Sequence, residues 1–414
     1  MISALKKDHP GQRRVLFLSG EMELGGAAMF VMNVCEGLSQ TGGGWRGIAG
    51  VFSNLGEIGI QMRNRDLPVA GPFTSCLIHE EFIEALHDEC QRSKPAAVVA
   101  NLGGEAFDFL RFVPESVLRV AVIHSDDECV YRQVERYLPW IDLVVGVSAH
   151  NRDVMQSRLG DNSIPVKQVA CGVPMSAPVT RETRKQGPLR ILYLGRVAEQ
   201  QKRACLMARV IQQSIDSGLD LAWTIAGDGP ELPKLREELT KNGNKVRFLG
   251  AVPYSEVPNV LAKHDVYFLC SDFEGLPLSM LEAMSAGCVP VVSDLPSGIS
   301  EVVNEANGIR VPISGPDGYV AALTELCQDR ERLAAMATAA AQTVREEYST
   351  GAMARRWNQV LEKFAKPTGP DWSQPCTADA PPECRARWYF HPKLRAVRRI
   401  LKICTRQLLR PTES

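Results

Sequence analysis

Residues 264–294, HDVYFLCSDFEGLPLSMLEAMSAGCVPVVSD, constrain what this chain can fold into more than any other stretch. Val266–Leu269 is a short apolar run suited to a buried strand. A loop follows over 271–275, and Pro277 is predicted as the first residue of a helix, its fixed φ already helical. Gly287 supplies the stop, and 289–292 begins the next buried strand. Strand, loop, helix, strand is the order of an open α/β sheet, where strand ends and a helix N-terminus face one ligand-binding crevice. Free backbone N–H groups at such a helix start favour an anion, a phosphate above all.

Glu274 stands at the mouth of that loop, and Glu282 lies inside the helix with its side chain leaning back toward the N-terminus. Leu278, Ser279, Ser285 and Ala286 surround Glu282 at helical spacing, while Met280, Leu281 and Met284 make the apolar side. A lone glutamate on a helix is ordinarily just solvated. Two carboxylates bracketing a helix start at the lip of a crevice point to a ligand instead.

A length of 414 residues suits two domains with extras, and 45% hydrophobic residues suffice for sizeable cores. The net charge of −1 gives no global attraction to nucleic acid or membrane. No apolar run reaches spanning length and 1–12 lacks the apolar core of a signal peptide, so a cytoplasmic protein is expected. The 12 cysteines include no Cys-x2-Cys pair, and Cys35, Cys171, Cys270 and Cys288 sit in or beside apolar patterns. Reduced, structural cysteines are expected.

The spacing Glu274-x7-Glu282, with EGLP and the AGCVPVVS continuation, resembles the retaining glycosyltransferases of family 4. The resemblance implies a GT-B fold: an α/β protein of two Rossmann-like domains facing a central cleft, here with a C-terminal extension. It also implies roles: Glu274 contacts hydroxyls of the donor sugar and Glu282 binds the ribose of the nucleotide. Gly275, Leu276, Pro277 and Leu278 would form the donor-binding helix start. RILYLGR at 190–196 resembles the first strand of the family's second domain, and Arg196 and Lys202 match the two cations directed at the donor diphosphate. A departing nucleoside diphosphate develops negative charge that fixed cations stabilise. AGDGP at 226–230 recurs in the family as a tight turn that orders the crevice, and Gly250 and Ala251 match the loop whose backbone meets the base.

The first half matches less specifically. The apolar run 15–19 is a strand, and Gly25 and Gly26 after it resemble the family's GGAE loop, with Ala28 where many members carry Glu. The glycines would let backbone approach the donor closely. VLRVAVIH at 117–124 is a strand ending in His124, a place where family members direct a histidine at the donor sugar. A lone histidine at a strand end is more often structural, and Asp126 beside it more often caps the next helix.

The expected organisation is an acceptor-side domain over 1–178, a nucleotide-sugar-binding domain over 179–345, a helix crossing back over 346–365, and a linker with a basic tail over 366–414. The implied reaction is retaining transfer of a sugar from a UDP-, GDP- or ADP-sugar to a sugar, glycan or lipid-linked acceptor. No metal and no cofactor beyond that co-substrate are implied. Two alternatives share the fold: a nucleotide-sugar epimerase or sugar phosphorylase, and a non-catalytic sugar-binding protein. In the tail, Leu394, Val397, Leu401, Cys404 and Leu408 recur at helical steps among Arg395, Arg398, Arg399, Lys402 and Arg406, with no acidic residue over 385–412. That pattern fits a helix lying on an anionic membrane or docked on the protein itself; nucleic acid is not an expected partner.

Overall fold

The computed structural model describes residues 11–23, 25–73, 79–102, 104–175 and 187–373. Among the described residues, thirteen strands fall into two sheets, and every pairing between them is parallel. The first sheet holds β1 (Arg13–Glu21), β2 (Trp45–Asn54), β3 (Val69–Ala70), β4 (Ala97–Leu102), β5 (Leu118–Ile123), β6 (Leu143–Gly146) and β7 (Val166–Gln168), in the order β3-β2-β1-β4-β5-β6-β7. The second holds β8 (Leu189–Leu194), β9 (Leu221–Ala226), β10 (Val246–Gly250), β11 (Val266–Leu269), β12 (Val289–Ser293) and β13 (Ile309–Val311), in the order β10-β9-β8-β11-β12-β13. Strand order reverses between β1 and β4 in one sheet and between β8 and β11 in the other, and at such switch points ligands of open α/β sheets bind.

Helices cover both faces of each sheet, which is why the strands read as unbroken apolar runs rather than alternating ones. In β1, Val15 and Phe17 enter one core layer while Leu16 and Leu18 enter the other. After the second sheet the chain returns to the first domain. Val173 and Ser349 form a parallel bridge, and the helix Thr350–Phe364 then packs along the helix Gly26–Gln40. Gly37 permits that approach, since a Cβ there would lie 2.7 Å from the Thr350 carbonyl oxygen. Trp357 is fully buried, edge-on to Phe17 at 5.4 Å, and Glu362 accepts from Trp45 Nε1 and pairs with Arg13.

Two expectations need correction. Pro277 is the N-cap of the helix Leu278–Ser285, not its first residue: its ψ of 114° is extended, set by the loop that leads into the helix. The stretch read as a linker from 366 onward begins instead as a docked segment. Trp372 is 3% exposed and donates to the Pro95 carbonyl, Gln91 donates to the Trp372 carbonyl, and Lys366 pairs with Asp142. One aromatic side chain among polar residues is enough to seat the segment on the first domain. The basic tail expected over 385–410 lies outside the described residues. Among the described residues, no helix is long and apolar enough to cross a membrane.

Candidate active site

Every loop that carries an expected site residue leaves the carboxyl end of a strand or opens a helix beside one. β8 ends at Leu194 and delivers Gly195 and Arg196; Lys202 follows just before the helix Ala204–Asp216. β11 ends at Leu269 and delivers Glu274 to Leu278, and the helix after it carries Glu282. That helix ends in a Schellman motif, with Gly287 at φ +74° donating to the Met284 carbonyl and Cys288 to the Ala283 carbonyl.

The two loops are laced together. Asp272 N–H donates to the Gln201 carbonyl, the Gln201 amide donates to the Phe273 carbonyl, and Arg203 pairs with Asp272 at 3.2 Å. This brings Lys202 Nζ to 2.5 Å from Glu274 Oε1, with both side chains largely buried. Lys202 therefore spends its charge on Glu274, whereas the exposed Arg196 guanidinium has no ion pair among the described residues. Beneath these groups lie two buried tyrosines. Tyr193 hydroxyl donates to the Arg196 carbonyl at 2.5 Å, and Tyr267 hydroxyl bonds Ser279 at 2.8 Å. Burial pushes both phenols well above their ordinary range, with Glu274 adding to the effect in each.

The AGDGP turn is fitted against the Arg196 loop. Cβ atoms at Gly227 and Gly229 would fall 1.8 Å and 2.2 Å from the Gly195 and Val197 carbonyl oxygens. Both glycines also hold φ values of +145° and +154°, so a side chain is excluded twice over.

Glu282 is half-buried, and desolvation by the surrounding protein raises its carboxyl to about 8. Its carboxylate has no hydrogen-bond partner among the described residues, though its backbone carbonyl accepts from Ser285 Oγ and Ala286 N–H. Tyr254, four residues after the left-handed Gly250, stands near it: Glu282, Arg65 and Glu36 all act electrostatically on that phenol, which burial raises first. Ala251 is exposed beside them.

The first domain supplies the opposite wall. Gly25 and Gly26 are exposed at the start of the helix Gly26–Gln40, and a Cβ at either would meet nothing within 4 Å. Packing does not require glycine there, so the space in front of this helix start is open. The helix itself meets Leu278–Ser285 across the domain junction. His124 follows β5, half-buried, with its ring edge-on to Phe30 at 4.7 Å and Nε2 against Asn101 Oδ1. Burial lowers its pKa to about 4, so the imidazole is neutral at physiological pH. Gly275 of the second domain sits directly on His124: a Cβ would lie 2.1 Å from the His124 carbonyl oxygen. Leu276 and Leu278 are buried behind it.

Thus the expected residues gather from both domains around one cleft. Sequence reading missed others. Asn101 was legible by the same rule that found His124, a polar residue at the carboxyl end of an apolar run. Asp127, not Asp126, caps the helix Glu128–Tyr137, and Asp126 accepts from Tyr131 and pairs with His150. Glu301 and Glu57, which bind backbone N–H groups of the opposite domain, carry no local signal. No group of three or more His, Cys, Asp or Glu that could hold a metal ion occurs among the described residues.

Two parallel-sheet Rossmann-like domains across a cleft define the GT-B fold. Anabaena HepE, solved with UDP and glucose, superposes with a TM-score of 0.69 at 15% identity, covering 85% of this chain and 100% of that one. Sucrose-phosphate synthase from Thermosynechococcus elongatus superposes at 0.67 with 16% identity, covering 85% and 99%. Residues 188–329 match the family described as glycosyl transferases group 1, and the Arg196, Lys202, Glu274 and Glu282 loops all lie within that matched stretch. A GDP-mannose-dependent monoacylated alpha-(1-6)-phosphatidylinositol monomannoside mannosyltransferase from Corynebacterium glutamicum is 32% identical over 163 residues, 38% of this chain and 42% of that protein. The putative colanic acid biosynthesis glycosyltransferase WcaL of Salmonella typhimurium is 28% identical over 235 residues, 53% and 56%. The chain thus spans about half the length of these relatives.

Proposed function

We propose that this protein is a retaining glycosyltransferase of family 4 that moves a sugar from a nucleotide-diphosphate sugar to an acceptor hydroxyl. The observation that carries the reading is the second-domain cluster: a buried Lys202–Glu274 pair, an unpaired Arg196 and an unpartnered Glu282, all opening on the switch point of one parallel sheet. In the proposed complex the diphosphate lies between Arg196, Lys202 and the start of the helix Leu278–Ser285. Glu274 holds sugar hydroxyls, Glu282 the ribose, and the backbone at Gly250 and Ala251 the base. The bond from the anomeric carbon to the diphosphate breaks while the acceptor oxygen bonds on the same face, and the departing phosphate takes the acceptor proton. The cations lower the barrier by stabilising that leaving charge, and losing one such group typically costs roughly a hundredfold in rate.

Donor identity follows from a thermal-shift panel of UDP-, GDP- and ADP-sugars. A true donor at a hundred times its Kd adds roughly 2.7 kcal/mol of stability. Transfer should survive EDTA, and loss of activity restored by magnesium or manganese would overturn the metal-independent form of the reading. Failure of every nucleotide sugar to bind would overturn the reading itself.

The acceptor is proposed to be a glycan or a lipid-linked sugar, in keeping with relatives named as a phosphatidylinositol monomannoside mannosyltransferase and a colanic acid biosynthesis glycosyltransferase. The apolar stripe from Leu394 to Leu408, with basic residues on its other faces, would hold the enzyme on an anionic membrane surface. Flotation with anionic liposomes tests this. The truncation should end after Ser373 rather than Phe364, because the shorter chain would also pull Trp372 from its seat. Equal flotation of both chains would remove the tail as an anchor.

A further inference from the structure

Asn101 is the penultimate residue of the apolar strand β4 and is 1% exposed, a buried amide that needs partners on both its ends. Its Nδ2 donates to the Ala27 carbonyl at 3.3 Å, immediately after the Gly25–Gly26 opening. A carbonyl can only accept, so the amide nitrogen must face Ala27 and the amide oxygen must face His124. That oxygen stands against His124 Nε2, and an acceptor there requires a proton on Nε2. The other ring nitrogen, Nδ1, has no protein partner among the described residues, and the His124 side chain is only half-buried. Phe30 fixes the ring plane from one side.

We infer that Asn101 is a positioning residue that locks His124 as the neutral Nε2–H tautomer, leaving Nδ1 to accept a hydrogen bond from a hydroxyl of the bound sugar. This rests on the reading of the cleft as a nucleotide-sugar site. It assigns His124 the acceptor role only, so a donor lacking that hydroxyl would leave a desolvated nitrogen unpaired and be selected against. Asn101 thereby contributes to sugar choice without touching the sugar.

The test begins with the full chain and no ligand. Nitrogen-15 imidazole spectra, with His124 assigned through His124→Gln, should show Nε2 protonated and Nδ1 unprotonated between pH 5.5 and 8 (a range on the order of one to four units above the value burial imposes). Asn101→Leu should give a mixture of tautomers. Asn101→Asp should keep the Nε2–H tautomer while moving the imidazole titration upward, because a carboxylate stabilises the imidazolium. With the donor found by the panel, Asn101→Leu should lose roughly tenfold or more in kcat/KM, as expected for one misplaced hydrogen bond. Asn101→Asp should retain more activity and acquire an acid limb in its pH profile. A wild-type His124 protonated on Nδ1, or an unchanged tautomer in Asn101→Leu, would overturn the inference. The expected spectra in a protein that binds no nucleotide sugar would instead overturn the functional reading and leave the tautomer assignment standing.

Discussion

At 2.5 Å and largely shielded from water, Lys202 and Glu274 neutralise each other where a diphosphate would otherwise meet an isolated cation. Removing one partner of such a pair strands a buried charge and costs roughly 3–5 kcal/mol. Lys202→Ala should therefore be destabilised by about 3 kcal/mol in urea unfolding, whereas Arg196→Ala, exposed and unpaired, should stay within about 0.5 kcal/mol of wild type. Equal stability of the two variants would show that the pair contributes nothing. Glu282 behaves differently, because nothing neutralises it. Its folded pKa of about 8 lies above the ordinary carboxylate value, so its contribution to stability is full below that ordinary value and is lost as pH rises to about 8. Glu282→Gln should match wild type near pH 5 and exceed it above pH 8 by roughly 1–3 kcal/mol, read as a divergence of Tm with pH. The same variant should weaken nucleoside diphosphate and donor alike in calorimetry, while Glu274→Gln should spare the free nucleoside diphosphate. Equal loss of nucleoside diphosphate by both would reverse the assignment of the two carboxylates.

Among the elements, the strands were legible because parallel strands buried on both faces are written as apolar runs. Val266–Leu269 begins and ends where the sequence places it. Short elements were not: β3 has two residues, and the helix Val257–Leu261 has five, with Pro258 as its second. The site was legible wherever it lies on one continuous segment, as in 270–282, and opaque wherever it depends on a partner far away in sequence. Gly275 illustrates the limit. The sequence marks it only by resemblance, as part of the donor-binding helix start, but its place is dictated by the His124 carbonyl of the other domain. Gly275→Ala should leave the second sheet folded and nucleoside diphosphate binding within about threefold, since the clash lies only between domains. Turnover should fall by at least roughly tenfold, because closure around the sugar is blocked. Wild-type kcat in this variant would show that the contact with His124 is not needed in the reacting state.

For the molecule as a whole, the two domains are clasped by carboxylates exchanged in opposite directions. Glu301 of the second domain accepts from Ala149 N–H at 2.6 Å and from the Gln168 amide at 2.7 Å, capping the helix Ala149–Leu159 from across the cleft. Glu57 of the first domain accepts from Tyr254 N–H at 2.8 Å, beside the loop proposed to meet the base. An anion at a helix N-terminus and a charged acceptor of backbone N–H are each worth about 1–2 kcal/mol, and salt screens both. Clasps of that size bias a domain equilibrium without freezing it, which suits the proposed reaction, in which the cleft admits a donor and releases a diphosphate. Glu301→Ala removes one side of the clasp, far in sequence from the cations and carboxylates of the site. It should shift the open-to-closed ratio about tenfold, seen as a larger radius of gyration in solution scattering without ligand. The apparent KM for the donor should rise by a similar factor with kcat little changed, and raising the salt concentration should move wild type toward the variant. Unaltered scattering together with an unaltered KM would mean that the domains are held closed by their apolar junction and the returning helix alone.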